Sequence, residues 1–238
     1  MRGTVTNGKT ADVNSLRQLR GYLICLSGID GTGKTTLAMK LKSELDLLGV
    51  RCKYEWFRNA RLLSLPFLAL CYLTGFAELT TIKGKRAGIY YFYKSKPVAR
   101  VWLWISAIDM LVVSIWKIKL PLWRGNTVVA DRYVIDALVD LMSDTGITDL
   151  NSYAFKLVLR LLDRSLVAVL MVDEEESLRR KDDSISLAYL TERRKLYLSV
   201  ARQLRIPVLD AKPPIEVVWF NLIKVLDRQI AQTARDQS

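Results

Sequence analysis

Gly28-Ile29-Asp30-Gly31-Thr32-Gly33-Lys34-Thr35-Thr36 is the stretch whose reading decides the fold. It fits the pattern Gly, four residues, Gly-Lys-Ser/Thr, in which a glycine-rich turn cradles phosphate. Ahead of it, Tyr22-Leu23-Ile24-Cys25-Leu26 is an apolar run with the length of a buried strand. Behind it, Leu37, Leu41, Leu45 and Leu48 recur at helical spacing up to Gly49. Strand, glycine turn and helix, in that order, are the context the pattern requires. The glycines admit backbone conformations that a Cβ would block, so N–H groups can turn toward phosphate oxygens. The first turn of the next helix adds unpaired N–H donors. Lys34 is expected to reach the outer phosphates of a nucleotide, and the Thr35 hydroxyl to ligate Mg2+.

Four more runs outward from this stretch read as strands. Arg51 to Phe57 alternates in polarity, Thr127 to Asp131 is β-branched, Leu166 to Val172 is wholly apolar, and Ile206 to Asp210 is short. Helical patterns separate them. The sequence therefore predicts an α/β fold of the P-loop NTPase type: a parallel five-stranded sheet with helices on both faces and a helical lid. Residues 1–20 read as a flexible N-terminal extension and 21–238 as one domain. Within it, 58–123 reads as an apolar and basic helical region and 174–195 as the lid.

Charged residues near strand ends are the candidates for chemistry. Asp131 closes its strand where a second metal-handling carboxylate belongs beside Thr35. Arg58 closes the second strand, and there it serves either a second phosphate or a solvated loop. Arg179, Arg180 and Lys181 lie between two helical patterns, either in a lid over phosphates or at a solvated helix end. Asp136 and Asp140, four apart, share a helix face and read as surface charges. Asp109 is the one acid in an apolar helix spanning Val98 to roughly Lys119, so it is expected to face a polar cavity.

The formal charge of +12 suits a phosphate-rich partner, and the absence of histidine removes imidazole acid–base chemistry. Cys25, Cys52 and Cys71 are an odd count without CxxC spacing, which reads as free thiols in a reducing compartment. With no apolar signal core before Arg20, a cytoplasmic location is expected. The helical run from Val98 to roughly Lys119 admits two readings. It is a buried helix crossing the core, or the segment 62–119 meets a membrane at the periphery through its tryptophans and flanking lysines and arginines.

Gly28 to Thr36, together with Asp131-Arg132-Tyr133 after the third strand, resembles the thymidylate kinase-like branch of P-loop nucleoside monophosphate kinases. The likeness runs from about Tyr22 to the C-terminal helix. It includes Val169 to Lys181, like that family's strand and lid, and Ala107-Ile108-Asp109, like its acceptor-side helix. The resemblance implies transfer of the ATP γ-phosphoryl group to a nucleoside monophosphate, dTMP in the family reaction, with ATP and Mg2+ as cofactors. Gly28, Asp30, Gly31, Thr32, Gly33, Lys34, Thr35 and Thr36 would hold ATP. Asp30, Arg58, Asp109, Arg132 and Tyr133 would bind the acceptor, and Thr35 and Asp131 the metal. Lys34 and Arg132 would neutralise the moving charge. Thr32 stands where some members carry a catalytic arginine, so Arg179 or Arg180 would supply it. The loop from Asp210 to Pro213 would lie against adenine. Met110 stands where the family has a base-reading arginine, with Arg100 the candidate replacement on the same helix. The Arg-Glu-Pro-Gly-Gly-Thr segment is absent, and Ile135 to Asp140 replaces the Ser-Ser-x-Ala-Tyr-Gln motif.

Three functions compete at this level. One is a nucleoside monophosphate kinase. The second keeps the ATP site but serves another phosphate acceptor, such as a membrane-bound one. The third is a regulatory nucleotide-binding protein, against which the acceptor-like residues argue; a guanine-reading Asn-Lys-x-Asp sequence is missing. The expected partners are nucleotides, with pairing of two copies left open and no motif for specific nucleic-acid binding.

Overall fold

The structure, a computed structural model, describes residues 13–58, 61–82, 85–180 and 186–235. The chain opens with α1 (Val13–Gln18), β1 (Leu23–Gly28), α2 (Lys34–Leu47) and β2 (Cys52–Trp56). Next come α3 (Ser64–Leu73) and an antiparallel hairpin of β3 (Ala77–Ile82) and β4 (Lys85–Tyr90). α4 (Lys96–Ser114) runs through a wider π turn at Ile115–Lys119 into α5 (Leu120–Trp123). β5 (Thr127–Asp131), α6 (Val134–Thr145), α7 (Tyr153–Leu159) and β6 (Ser165–Met171) follow. α8 (Glu174–Arg180), α9 (Leu187–Gln203), β7 (Val208–Asp210) and α10 (Ile215–Arg235) complete it.

Five strands form one parallel sheet in the order β2-β5-β1-β6-β7. Position in that order explains composition. β1, β5 and nearly all of β6 are buried and, apart from Ser27 and Asp131 near their C-terminal ends, largely β-branched or apolar, whereas the edge strands β2 and β7 are partly exposed. A central parallel strand is covered on both faces, so it needs apolar side chains pointing both ways. The register places Gly28, Trp56, Asp131 and Asp210 along one edge of the sheet, at the strands' C-terminal ends. In an open α/β sheet that edge is where ligands gather.

Two expectations need correction. The N-terminal extension is shorter than residues 1–20. α1 packs on α2 and α10, and Leu16 and Leu19 are buried because they are its apolar side. Residues 1–12 lie outside the described residues. The region 58–123 is also not all helical. The β-branched stretch from Ala77 and the run to Tyr90 pair as strands, which lets Tyr90 at the hairpin's end pack against Phe92 and Trp102.

Candidate functional site

The glycine loop joins β1 to α2. At Gly28 (φ 138°) a Cβ would stand 2.0 Å from the Leu170 carbonyl oxygen, so no other residue fits beside β6. Gly33 (φ 79°) takes the left-handed conformation just before α2, and no side chain caps that helix. The N-terminal N–H groups of α2 are thus left to the loop's interior, where an anion is favoured. The Lys34 ammonium donates to the Ile29 carbonyl at 2.5 Å and lies 3.1 Å from the Thr32 hydroxyl. Burial, then the nearby charge of Arg132, lowers its pKa to about 7. Thr32 is buried and donates to the Ile29 carbonyl, while Thr36 is exposed on the first turn of α2.

Thr35 and Asp131 come together, the hydroxyl donating to the carboxylate Oδ2 at 2.5 Å. Tyr54 donates to the same oxygen at 2.9 Å. The other oxygen, Asp131 Oδ1, is buried with no hydrogen-bond partner among the described residues. Leaving such an acceptor unsatisfied costs about 1–3 kcal/mol. A hydroxyl beside a carboxylate with an open oxygen fits Mg2+, which takes one or two protein oxygens and fills its shell with water and phosphate. Among the described residues no cluster of three or more Cys, Asp or Glu could hold a metal by itself.

Arg132 follows Asp131 in the left-handed region (φ 70°), a conformation a non-glycine residue holds only where its surroundings fix it. Its guanidinium pairs with Asp30 and, at 3.2 Å, with Asp136. Burial opposes the charge, but Asp136 and Asp30 together raise its pKa above the ordinary value. Asp136 also accepts from the Tyr197 hydroxyl at 2.7 Å and from the Tyr133 N–H at 3.2 Å. Asp136 is therefore buried rather than a surface charge, because the cation before α6 and the phenol from α9 both converge on it. Asp140, one turn on, pairs with the buried Arg193 and is likewise no plain surface charge.

Asp140 and Arg193 line a cleft of about 1060 Å3 between α6, α9 and the β4 end of the hairpin, together with Arg58, Arg61, Tyr90 and Asp144. A smaller pocket joins it to the glycine loop. Gly28, Ile29 and Asp30 line one side, and Arg58, Arg132, Tyr189 and Arg193 the other. Three guanidiniums thus face the junction. Arg58 lines both this pocket and the cleft.

Other candidates lie elsewhere. Asp109 is fully buried, but no ligand-facing cavity holds it. Its carboxylate accepts the backbone N–H groups of Leu62, Leu63 and Ser64 at 2.9, 2.7 and 2.9 Å, tying the start of α3 to α4. Tyr133 is also fully buried, its ring edge-on to Phe57 at 4.9 Å, so it packs the core and touches no cleft. Arg179 points to solvent in a pair with Glu176, because α8 turns that face outward. Arg180 instead reaches the carbonyls of Ala211 and Lys212 at 2.8 and 3.0 Å, fixing the loop after β7. Lys181 lies outside the described residues. Arg100 is exposed, whereas Met110 lines, with Arg61, Trp102 and Ser106, a small pocket that shares Arg58, Asp140 and Asp144 with the cleft.

Sequence reasoning missed Tyr54, Arg61 and Arg193 as site residues. Arg193 carried a signal: Tyr189, Arg193 and Tyr197 recur every four residues, one face of α9, with the guanidinium 5.2 and 5.9 Å from the two rings. Arg61 carried none, since its place depends on Tyr90, whose hydroxyl it bonds at 2.7 Å from a different element.

Compared with protein-family models and with curated proteins, the chain matches none of them.

Proposed function

We propose that this protein is a P-loop kinase that transfers the γ-phosphoryl group of ATP to a nucleoside monophosphate, in the manner of thymidylate kinase-like enzymes. The observation that carries this reading is the junction of the glycine loop with the cleft, where Arg58, Arg132 and Arg193 converge. A transferase needs donor and acceptor sites that meet, with cations at the meeting point to neutralise charge spread over the moving group. A nucleotide-binding switch needs only the first of the two sites.

In this reading a P–O bond forms from an acceptor phosphate oxygen to the γ-phosphorus, and the bond to the bridging oxygen breaks as ADP leaves. Bound Mg2+ would neutralise phosphate charge at Thr35 and Asp131. Lys34 would leave the Ile29 carbonyl for phosphate oxygens. Arg132, held by Asp30 and Asp136, supplies a fixed positive charge that needs no rearrangement. Arg180 holds the 211–212 loop beside the nucleotide. Met110, standing where the family has its base-reading arginine, offers no hydrogen-bond donor of its own. A buried polar site discriminates strongly only through such donors.

The test is phosphoryl transfer followed by 31P NMR with ATP, Mg2+ and dTMP, dUMP, UMP or CMP. Transfer to at least one is expected, with kcat/KM values within about tenfold of one another. Lys34→Ala should lower turnover by more than ~10²-fold while remaining folded. A wild-type protein that binds ATP and slowly hydrolyses it without phosphorylating any monophosphate would overturn the kinase reading in favour of a regulatory one.

A further inference from the structure

α3 is apolar on the side that faces solvent. Leu65, Pro66, Ala69, Leu70 and Leu73 form its outer face, and Leu73 is 85 % exposed. A water-facing helix of a soluble domain normally puts charged or polar residues there. α4 repeats the pattern beside it: Val101, Trp104, Ile108 and Ile115 recur at three-, four- and seven-residue steps on its outer side, all exposed. Asp109 and the Phe67–Trp102 stack hold the two helices together. Exposed apolar surface on both helices marks an interaction site.

Charge identifies what fits it. From Arg61 to Arg124 the sequence has ten lysines and arginines and two acids, and one of those acids is the buried Asp109. Lys96 and Arg100 are exposed near the start of the long helix, and Lys117 and Arg124 near its end. Trp104, Trp116 and Trp123 are exposed along the same helix, the residue type that settles at the level of lipid headgroups. In a symmetric pair of copies the same basic rim would face itself, which is repulsive. An anionic bilayer offers apolar depth with a negative rim.

Lys96–Trp123 is long and apolar enough to cross a membrane by length and composition. Its inner side nevertheless packs into the fold through Trp102, Ala107, Met110 and Ser114, so crossing would unmake the core. We infer that the outer faces of α3 and α4 dock the protein onto an anionic phospholipid bilayer, with α4 lying along the surface. This inference stands on the exposed faces alone, independent of the kinase reading.

Co-sedimentation with vesicles of phosphatidylcholine, with and without phosphatidylglycerol, tests it. The protein should partition about tenfold or more better into the anionic vesicles, and Leu70→Glu with Leu73→Glu should remove that binding by a similar factor. Should that variant fail to fold, brominated lipids decide on the wild-type protein: their quenching of tryptophan fluorescence is expected only if the tryptophans enter the bilayer. Equal, negligible partition into both vesicles without quenching would overturn the proposal. So would a dimer in sedimentation velocity that the double variant separates, with no vesicle binding, since the face would then join two copies.

Discussion

Arg193 of α9 and Asp140 of α6 form an ion pair across the wall of the cleft, with the guanidinium also facing the pocket beside Gly28 and Asp30. Burial opposes the arginine's charge, yet Asp140 and Tyr197 raise its pKa well above the ordinary value, so it stays a cation. The pair joins the two helices at the point where donor and acceptor would meet. Arg193→Ala is expected to lower kcat by roughly 10²-fold with a much smaller change in KM for ATP, the signature of a contact made in the transition state. Arg179→Ala should behave like the wild type, because Arg179 projects into solvent with Glu176. Steady-state kinetics of both variants check this; equal losses would return the role to α8.

Asp131→Asn keeps the shape of the side chain and removes its charge. The Mg2+ concentration needed for half-maximal nucleotide binding should rise about tenfold or more, as for loss of a ligand or its close support. Thr35→Val should act in the same direction. Titration of Mg2+ against fluorescent-nucleotide binding measures both.

Asp109 supports stability rather than binding. Replacing it with alanine strands three backbone N–H groups at the start of α3, that of Ser64 buried, at an expected cost of about 1–3 kcal/mol in urea unfolding. Kinetic constants of the folded fraction should stay within about twofold of wild type. Asn, which can still accept, should cost less. Burial opposes the ionised carboxyl, but the hydrogen bonds from Ser64, Leu62 and Leu63 outweigh it and lower the pKa. Its contribution is therefore present above the unfolded value of 3.8 and is lost as pH falls through the lower folded one.

Asp144 shows the opposite pH dependence. Burial, and then the like charge of Asp140, raise its pKa to about 7 against the opposing pull of Arg193 and Arg61. The folded state then holds a proton that the unfolded chain has released between pH 3.8 and about 7, so stability falls as pH rises across that window. Asp144→Asn should flatten this slope. It should add about 1–2 kcal/mol at pH 8, an amount reduced from the full shift because the side chain is only partly buried, and little at pH 4. Thermal unfolding at the two pH values reads the difference.

The sequence by itself determined the five parallel strands, the glycine turn between β1 and α2, and the meeting of Thr35 with Asp131. Each is local or periodic. A strand covered on both faces must be an apolar run, and a helix opening after Gly33 must follow a turn that tolerates left-handed backbone. Residues at strand ends meet because a parallel sheet brings its C-terminal ends to one edge. Only the tertiary structure decided which charges are buried and with what. In sequence Asp109 read as facing a polar cavity, and Asp136 and Asp140 as surface charges. Their roles depend on partners 45 or more residues away for Asp109, at Leu62 to Ser64, and on Arg132, Tyr197 and Arg193 for the others. The same holds for the outward leucines of α3, whose composition suits a core as well as a surface. Hydrophobic periodicity says which residues share a face, and only packing says what that face meets.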